Sequence, residues 1–570
     1  MSRTAISCLL LVISVCLYII SFRNPSRITT LFSESSYYLM GLVWGAWIIS
    51  LVGFCLKKKY SIPSLIRRHR SGLFLTFLLT SIVFTSVPTS LRVLSDEANI
   101  LSVSKSMIFE KRVDYSPQGF WQYGNFWPVG QREIEKRPLL FPFLTHLIHV
   151  GTGYRAANVF ATNFFVLWAL FFIIYILLRK VVSPLWASSS LVLIASQPAL
   201  SIAANSGGVD TLNVMLIFLS FACLHRFLSD RTETSFNLLW FTCILLAHTR
   251  AESIIFFMIT IFLLFIFRTI KIDFFKSSVL YALTPLLLLP IFWLRVLKTN
   301  DPEIAHSTQL FAFNFRSFME NNSVFFKNLF SFDFSLPYNN IINLVGLVGL
   351  VYLLVAFLRN SRSVVIQKGY PLAVISVVNI TALWIIITAY FYGKMDHPVS
   401  SRFFLTFIVI GSILASLFIH KITKKRNFRP VYFLIFSFSL FMLYHPTAVE
   451  DRFTNSLYLT KEYRYVNDFF KQQAQTDKNF LVITYFPNHL TIHNYGAVHF
   501  GYANKNKSSI LLRYARHMVS NIFVVQHIDQ KTALPMNRTA LDPAFKLRTK
   551  AELKNSTEMF TRISQVVNKR

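Results

Sequence analysis

The stretch AANVFATNFFVLWALFFIIYILL, residues 156–178, contains no charged side chain. A helix of that length crosses the hydrocarbon core of a bilayer, which takes about 20 apolar residues. Similar apolar runs recur along the chain and are separated by short charged links. This pattern predicts an all-α protein that passes through a membrane many times.

Composition and charge agree with a membrane protein. Hydrophobic residues occupy 54% of the 570 positions and charged residues 15%, whereas a soluble surface of this size needs about a quarter of its residues charged. The formal net charge is +31, but the basic residues concentrate in short links between apolar runs. That distribution indicates contact with membrane lipids and no nucleic-acid partner.

The apolar runs mark thirteen candidate spans, and we expect about 11–13 membrane-spanning helices. The runs centre on residues 5–22, 37–56, 72–91, 156–178, 185–204, 209–225, 236–249, 252–268, 278–296, 340–358, 371–391, 403–420 and 430–446. If every run crosses once, one side receives the links 57–70, 179–180, 226–235, 268–276, 359–368 and 420–429. These links carry 21 Lys and Arg against three acids, so that side is expected to be cytoplasmic.

This threading predicts two domains in a multi-pass membrane protein, which we expect to lie in the bacterial inner membrane. Residues 1–446 form a transmembrane domain, whose first large outer loop, 92–155, contains stretches such as FWQYGNFWP that are typical of interfacial helices. Residues from about 297 to 339 are also expected on the outer side of the membrane. Residues 447–570 contain the β-type runs FLVITYF (480–486) and NIFVVQHI (521–528) between helical patterns near 459–475 and 508–518, which predicts a small α/β extracytoplasmic domain.

Three acids at the predicted outer face are candidates for chemistry. Asp96 and Glu97 follow the third span directly, and a carboxylate that loses solvation beside a like charge becomes a stronger base. The alternative is a solvated acid pair at a helix end. Asp210, in NSGGVDTLN (205–213), is either a substrate-positioning acid or an ordinary acid in the first turn of a helix.

Basic residues at the same predicted face are candidates for binding phosphate. They are Lys136 and Arg137 in EKRPLL (135–140), Arg250 in HTRAE (248–252) and Arg402 in HPVSSRF (397–403). Arginine holds phosphate by paired hydrogen bonds and lysine as a point charge. The plainer alternatives are headgroup contact for the first two, pairing with Glu252 for Arg250, and helix anchoring for Arg402.

Together these stretches resemble the GT-C superfamily of membrane glycosyltransferases. They look closest to bacterial relatives of the protein O-mannosyltransferases (glycosyltransferase family 39) and of the lipid A aminoarabinose transferases. The likeness covers roughly residues 72–420 and departs at Arg137, where those relatives have a proline. It rests on DEA (96–98), EKRPLLFPFL (135–144), GGVDTLN (207–213), AHTRAES (247–253) and SSRFFL (400–405).

The resemblance implies a sugar donor on a polyprenyl phosphate and a glycan, lipid or protein acceptor that approaches from outside. Asp96 would take the proton from the acceptor hydroxyl, and direct displacement would invert the anomeric carbon. The resemblance also implies substrate-positioning roles for Glu97 and Asp210, and phosphate-binding roles for Lys136, Arg250 and Arg402. From their positions we expect Arg137 to bind the phosphate as well and Glu252 to position the substrate. Some GT-C enzymes use a divalent metal, but with a monophosphate leaving group and these basic residues we expect no cofactor.

Two other classes of protein also have many spans. A transporter or flippase usually shows broken helices and midplane charges at paired positions, whereas the polar clusters here lie at the outer edge. An O-antigen ligase or polymerase handles lipid-linked glycans too, but it lacks the acid pair in the first large loop. Sugar transfer from a purified lipid-linked donor separates an enzyme from a carrier.

Overall fold

The computed structural model describes residues 3–23, 25–58, 62–122, 124–270, 279–299, 313–359, 370–424, 429–554 and 559–567. These residues divide into two compact units. The membrane unit comprises residues 1–90, 136–144 and 160–453, and the sheet unit comprises residues 91–135, 145–159 and 454–570. Most of the predicted links 268–276 and 359–368, and parts of 57–70, 297–339 and 420–429, lie outside the described residues.

Helices dominate the chain because long apolar runs leave backbone polar groups no partner but their own turn. In chain order they are α1 (Arg3–Arg23), α2 (Pro25–Lys57), α3 (Ile62–Ser86), α4 (Leu94–Phe109), α5 (Leu140–Thr152), α6 (Asn158–Leu178), α7 (Pro184–Ala195), α8 (Pro198–Ala204), α9 (Asp210–Asp230), α10 (Glu233–Ala247), α11 (Ile254–Ile266), α12 (Thr284–Thr299), α13 (Phe315–Phe330), α14 (Asn340–Arg359), α15 (Tyr370–Ala389), α16 (Leu405–Lys424), α17 (Pro430–Glu450), α18 (Arg452–Asn455), α19 (Tyr458–Thr476), α20 (Asn488–Thr491), α21 (Phe500–Lys505) and α22 (Lys507–Ala515).

Every one of the thirteen predicted spans overlaps a helix, so the all-α membrane architecture is confirmed. Within the described ranges, six helices are long and apolar enough to cross a membrane, or seven if α7 and α8, bent by 77°, form one span. This number is lower than the expected 11–13, in part because several other apolar helices are shorter than 18 residues. For example, α10 has 15 residues and α11 has 13.

Helices α14 and α16 approach each other closely within the membrane unit. A Cβ added to Gly346 on α14 would lie 2.4 Å from the carbonyl oxygen of Gly411 on α16. Only glycine permits that contact, because any side chain would force the helices apart. By contrast, a Cβ on Gly411 would meet only Asn343 Oδ1, at 4.0 Å.

The sheet unit is built on a seven-stranded mixed sheet with the strand order β3-β2-β6-β5-β7-β9-β8. Strands β5, β6 and β7 are parallel and the flanking pairs are antiparallel. A separate pair joins β1 to β4. The strands are β1 (Asp114–Tyr115), β2 (Gly119–Gln122), β3 (Asn125–Pro128), β4 (Glu133–Ile134), β5 (Phe480–Ile483), β6 (Gly496–Val498), β7 (Asn521–Asp529), β8 (Leu547–Lys554) and β9 (Met559–Val566).

The predicted α/β character of the tail is confirmed, because both β-type runs form strands within this sheet. The expectation of a helix at FWQYGNFWP is wrong, since this stretch forms the hairpin of β2 and β3. Gly124, with φ +76, adopts the left-handed turn between them. The compact units also differ from the predicted division after residue 446, because β2 pairs with β6 and so joins the first large loop to the tail.

Candidate active site

Asp210 is the first residue of α9, and its side chain is only 4% exposed. Asn163 on α6 fixes the preceding loop by donating to the carbonyl oxygens of Ser206 at 2.7 Å and Gly208 at 3.0 Å. The positive end of the helix dipole stabilises a carboxylate here. Asp210 therefore occupies the first-turn position that the sequence allowed, and it also makes ion pairs.

Arg250 is held by two carboxylates and one ring. Its Nη1 lies 2.7 Å from Asp210 Oδ1, and its Nε lies 2.7 Å from Glu252 Oε1. The guanidinium carbon lies 4.4 Å from the ring centroid of Phe403. Charge-assisted bonds in two directions and a cation–π contact fix the plane of the guanidinium. The expected pairing of Arg250 with Glu252 is present, and Asp210 adds a second partner.

Asn213 ties the turn that carries Arg250 to helix α9. Its Oδ1 accepts hydrogen bonds from the hydroxyls of Thr249 and Ser253, both at 2.7 Å. Sequence reasoning assigned no role to Asn213 or Phe403. The signal for Asn213 was its position three residues after Asp210, which places both side chains on one helix face.

Arg402 approaches the same carboxylate from another segment. It lies in the short 3₁₀-helix Ser401–Phe404, and its Nη1 is 3.6 Å from Asp210 Oδ2. That separation is an ion pair and is too long for a good hydrogen bond. Its guanidinium carbon lies 5.7 Å from the centroid of Phe403, so this ring contacts both arginines.

These side chains surround one cavity of about 190 Å³ in the membrane unit. Six of the predicted site residues line it, namely Lys136, Arg137, Asp210, Arg250, Glu252 and Arg402. The amide of Leu140 donates to the His248 carbonyl oxygen at 3.1 Å and so holds the EKRPLL segment beside the Arg250 turn. With four cations against two carboxylates, the cavity suits an anion. Within the described ranges, no three His, Cys, Asp or Glu side chains are grouped as a metal ion would require.

The other two predicted residues belong to the sheet unit. Asp96 and Glu97 lie in the first turn of α4 and are 8% and 1% exposed. Glu97 Oε2 accepts the backbone N–H of Arg92 at 2.8 Å, and the Ser95 hydroxyl donates to Asp96 Oδ1 at 3.3 Å. The alternative of a solvated acid pair is therefore wrong, because both carboxylates are buried. Glu97 stabilises the start of the helix.

Comparison with known proteins finds similarity only among solved structures. No protein-family model and no curated protein matches the chain. ArnT from Cupriavidus metallidurans in the apo state aligns with 87% of this chain and 98% of its own, with a TM-score of 0.52 and 9% identity. The same protein bound to undecaprenyl phosphate gives 0.48 and 10% identity over 88% of this chain and 98% of its own.

The apo oligosaccharyltransferase of Archaeoglobus fulgidus aligns over 80% of this chain and 69% of its own, with a TM-score of 0.43 and 13% identity. At such low identities, structural likeness establishes a fold and leaves activity open. The chain has the fold of the Cupriavidus ArnT, so the expected fold class is confirmed.

Proposed function

We propose that this chain is an integral membrane glycosyltransferase that moves a sugar from a polyprenyl-phosphate donor to an acceptor on the extracytoplasmic side, with inversion. The observation that carries the proposal is the cavity of about 190 Å³ lined by four cations. Within it, Arg250 and Arg402 are both paired with the buried carboxylate of Asp210, and Arg250 is also paired with the half-buried Glu252. Donors held in this way stabilise charge that develops on a leaving group without reorganisation at the moment of reaction.

An apolar cavity supports a lipid-linked donor. It has a volume of about 370 Å³ and lies among α13, α14, α15 and α16, with Phe325, Leu347, Trp384 and Gly411 in its wall. Phe407 and Ile408 also line it, and they follow Arg402 and Phe403 of the charged cavity by four to six residues, which is between one and two helical turns. One continuous segment thus contributes to a site for the phosphate and to a site for an isoprenoid tail.

The proposed reaction is a single displacement. The acceptor hydroxyl oxygen forms a bond to the anomeric carbon while the bond from that carbon to the phosphate oxygen breaks. The electron pair of the breaking bond goes to the polyprenyl phosphate, whose charge meets Lys136, Arg250 and Arg402. Asp96 accepts the hydroxyl proton, a role worth on the order of 10²–10⁴-fold in rate.

Filling the apolar cavity tests the site for the tail. A leucine at Gly411 projects into this cavity, since the added Cβ meets only Asn343 Oδ1 at 4.0 Å. We expect Gly411→Leu to weaken the binding of undecaprenyl phosphate about tenfold or more, because each buried CH₂ group contributes about 0.8 kcal/mol. Gly53→Leu is the control, since that glycine on α2 also has open space around its Cβ. Equal affinity of both variants for undecaprenyl phosphate would show that the isoprenoid tail does not bind in this cavity.

Labelling from outside the cell tests the proposed sidedness. Lys58 and Asp230 form an ion pair at 2.9 Å, which supports the threading that puts their two links at one face. In a background without the five native cysteines, we expect Lys505→Cys to react with an impermeant maleimide and Lys57→Cys to be shielded. The reverse pattern would invert the topology and contradict transfer on the outer face.

A further inference from the structure

A third cavity lies entirely within the sheet unit and takes no part in the proposed donor site. Its volume is about 280 Å³, near the lower end of the range for small-molecule sites. Helix α4, the β2–β3 hairpin and the segment after α20 form its wall. The side chains that matter below are Lys105, Trp121, Phe126 and Asn494.

Lys105 stands in this wall beside aromatic rings. Its Nζ lies 4.7 Å from the ring centroid of Phe126 and 5.9 Å from that of Trp121, and it donates to the Thr491 carbonyl oxygen at 2.7 Å. Burial lowers the pKa of Lys105 to about 7, against a smaller opposing effect of Glu110. An ammonium has three donors, and a ligand oxygen would restore solvation that burial has removed.

Asn494 lies in the same wall. Its Oδ1 is buried and receives no hydrogen bond from any residue that the structure describes. A buried acceptor without a donor is unfavourable by about 1–3 kcal/mol. Asn494 also has φ +63, so its carboxamide is presented from a left-handed position. Replacement of Asn494 by glycine would therefore alter the wall of the cavity and keep this backbone conformation.

We propose that this cavity binds a saccharide unit of the acceptor, an inference that rests on the proposed transfer to an outer-face acceptor. A sugar ring has an apolar C–H face that packs on Trp121 and Phe126. Its edge carries hydroxyls that accept hydrogen bonds from Lys105 Nζ. The cavity offers these two kinds of surface side by side.

A peptide fits this wall less well. An extended peptide binds by adding a strand to a sheet edge, and β3 is the edge strand here. However, β3 has only four residues and ends at Pro128, and proline lacks the N–H that such pairing needs. The hairpin therefore presents rings to the cavity and a poor edge to a peptide.

The test uses the full-length protein in detergent, an array of bacterial saccharides, and a matched array of short peptides. We expect the protein to retain saccharides in preference to peptides. Trp121→Ala should lower saccharide binding at least tenfold, and Asn494→Gly should also lower it while keeping the left-handed backbone. Trp127→Ala is the control, because Trp127 is 56% exposed and does not line the cavity.

Binding of undecaprenyl phosphate, measured on the same preparations, separates this inference from the proposed function and verifies folding. We expect Trp121→Ala and Asn494→Gly to bind that lipid normally. If the wild-type protein retains no saccharide, prefers peptides, or binds saccharides equally well with Trp121→Ala and Trp127→Ala, the acceptor inference is overturned. Normal lipid binding in those cases would leave the donor site intact.

Discussion

Asp96→Asn is expected to lower sugar transfer by about 10²-fold or more while leaving the binding of undecaprenyl phosphate unchanged. The substitution keeps the size of the side chain and removes its basic oxygen. Asp96 is buried in the first turn of α4, and a positioned carboxylate that accepts a proton in the transition state contributes about 10²–10⁴-fold to the rate. Transfer by purified protein, measured at saturating donor, gives the effect on the chemical step.

Glu97→Gln is the matched control for the base. Glu97 accepts the backbone N–H of Arg92 at 2.8 Å, and a glutamine oxygen can accept the same bond. We therefore expect a smaller loss of transfer than in Asp96→Asn. Near-normal transfer by a well-folded Asp96→Asn protein would contradict the assignment of Asp96 as the general base. Both acids would then have only a structural role at the start of α4.

Lys136→Ala is expected to weaken the binding of undecaprenyl phosphate by about 10- to 100-fold. Lys136 lines the charged cavity, and a hydrogen bond to a charged group contributes about 1.5–3 kcal/mol. Binding of undecaprenol, which has the same tail and no phosphate, should not change. Equilibrium binding of the two lipids to the same preparation measures the contribution of the phosphate alone.

Lys461→Ala provides the comparison for loss of a lysine. Lys461 is an exposed residue of α19 in the sheet unit, and its removal should leave the affinity for both lipids unchanged. If the two alanine variants lose undecaprenyl phosphate affinity to the same small extent, Lys136 is an ordinary headgroup contact and the charged cavity loses its role.

The helices could be predicted because their signal is local. The length of a run such as residues 156–178 and its lack of charge are enough to indicate a membrane-spanning helix. Helix α6 lies within this run. The β2–β3 hairpin could not be predicted in this way. Gly119 pairs with Ala497, far along the chain, and two four-residue strands rich in aromatics show no period of their own.

The residues of the candidate site could be predicted from the sequence, but the contacts among them could not. The charge asymmetry of the links predicts that its polar residues lie at one face of the membrane. The structure brings six of them around one cavity. Nothing local in the sequence indicates that Asp210 contacts both Arg250 and Arg402, because those contacts depend on how distant helices pack. Burial of Asp96 and Glu97 depends on tertiary packing in the same way.

Incubation of the purified protein with lipid-linked sugars from cells that lack it tests the central claim most directly. Such cells should accumulate the donor, and envelope material from them supplies the acceptor. Mass spectrometry should show the donor converted to free polyprenyl phosphate and the acceptor heavier by the same sugar, with the wild-type protein and not with Asp96→Asn. Donor that stays chemically intact, or that only changes leaflet in vesicles, would contradict a transferase and indicate a carrier.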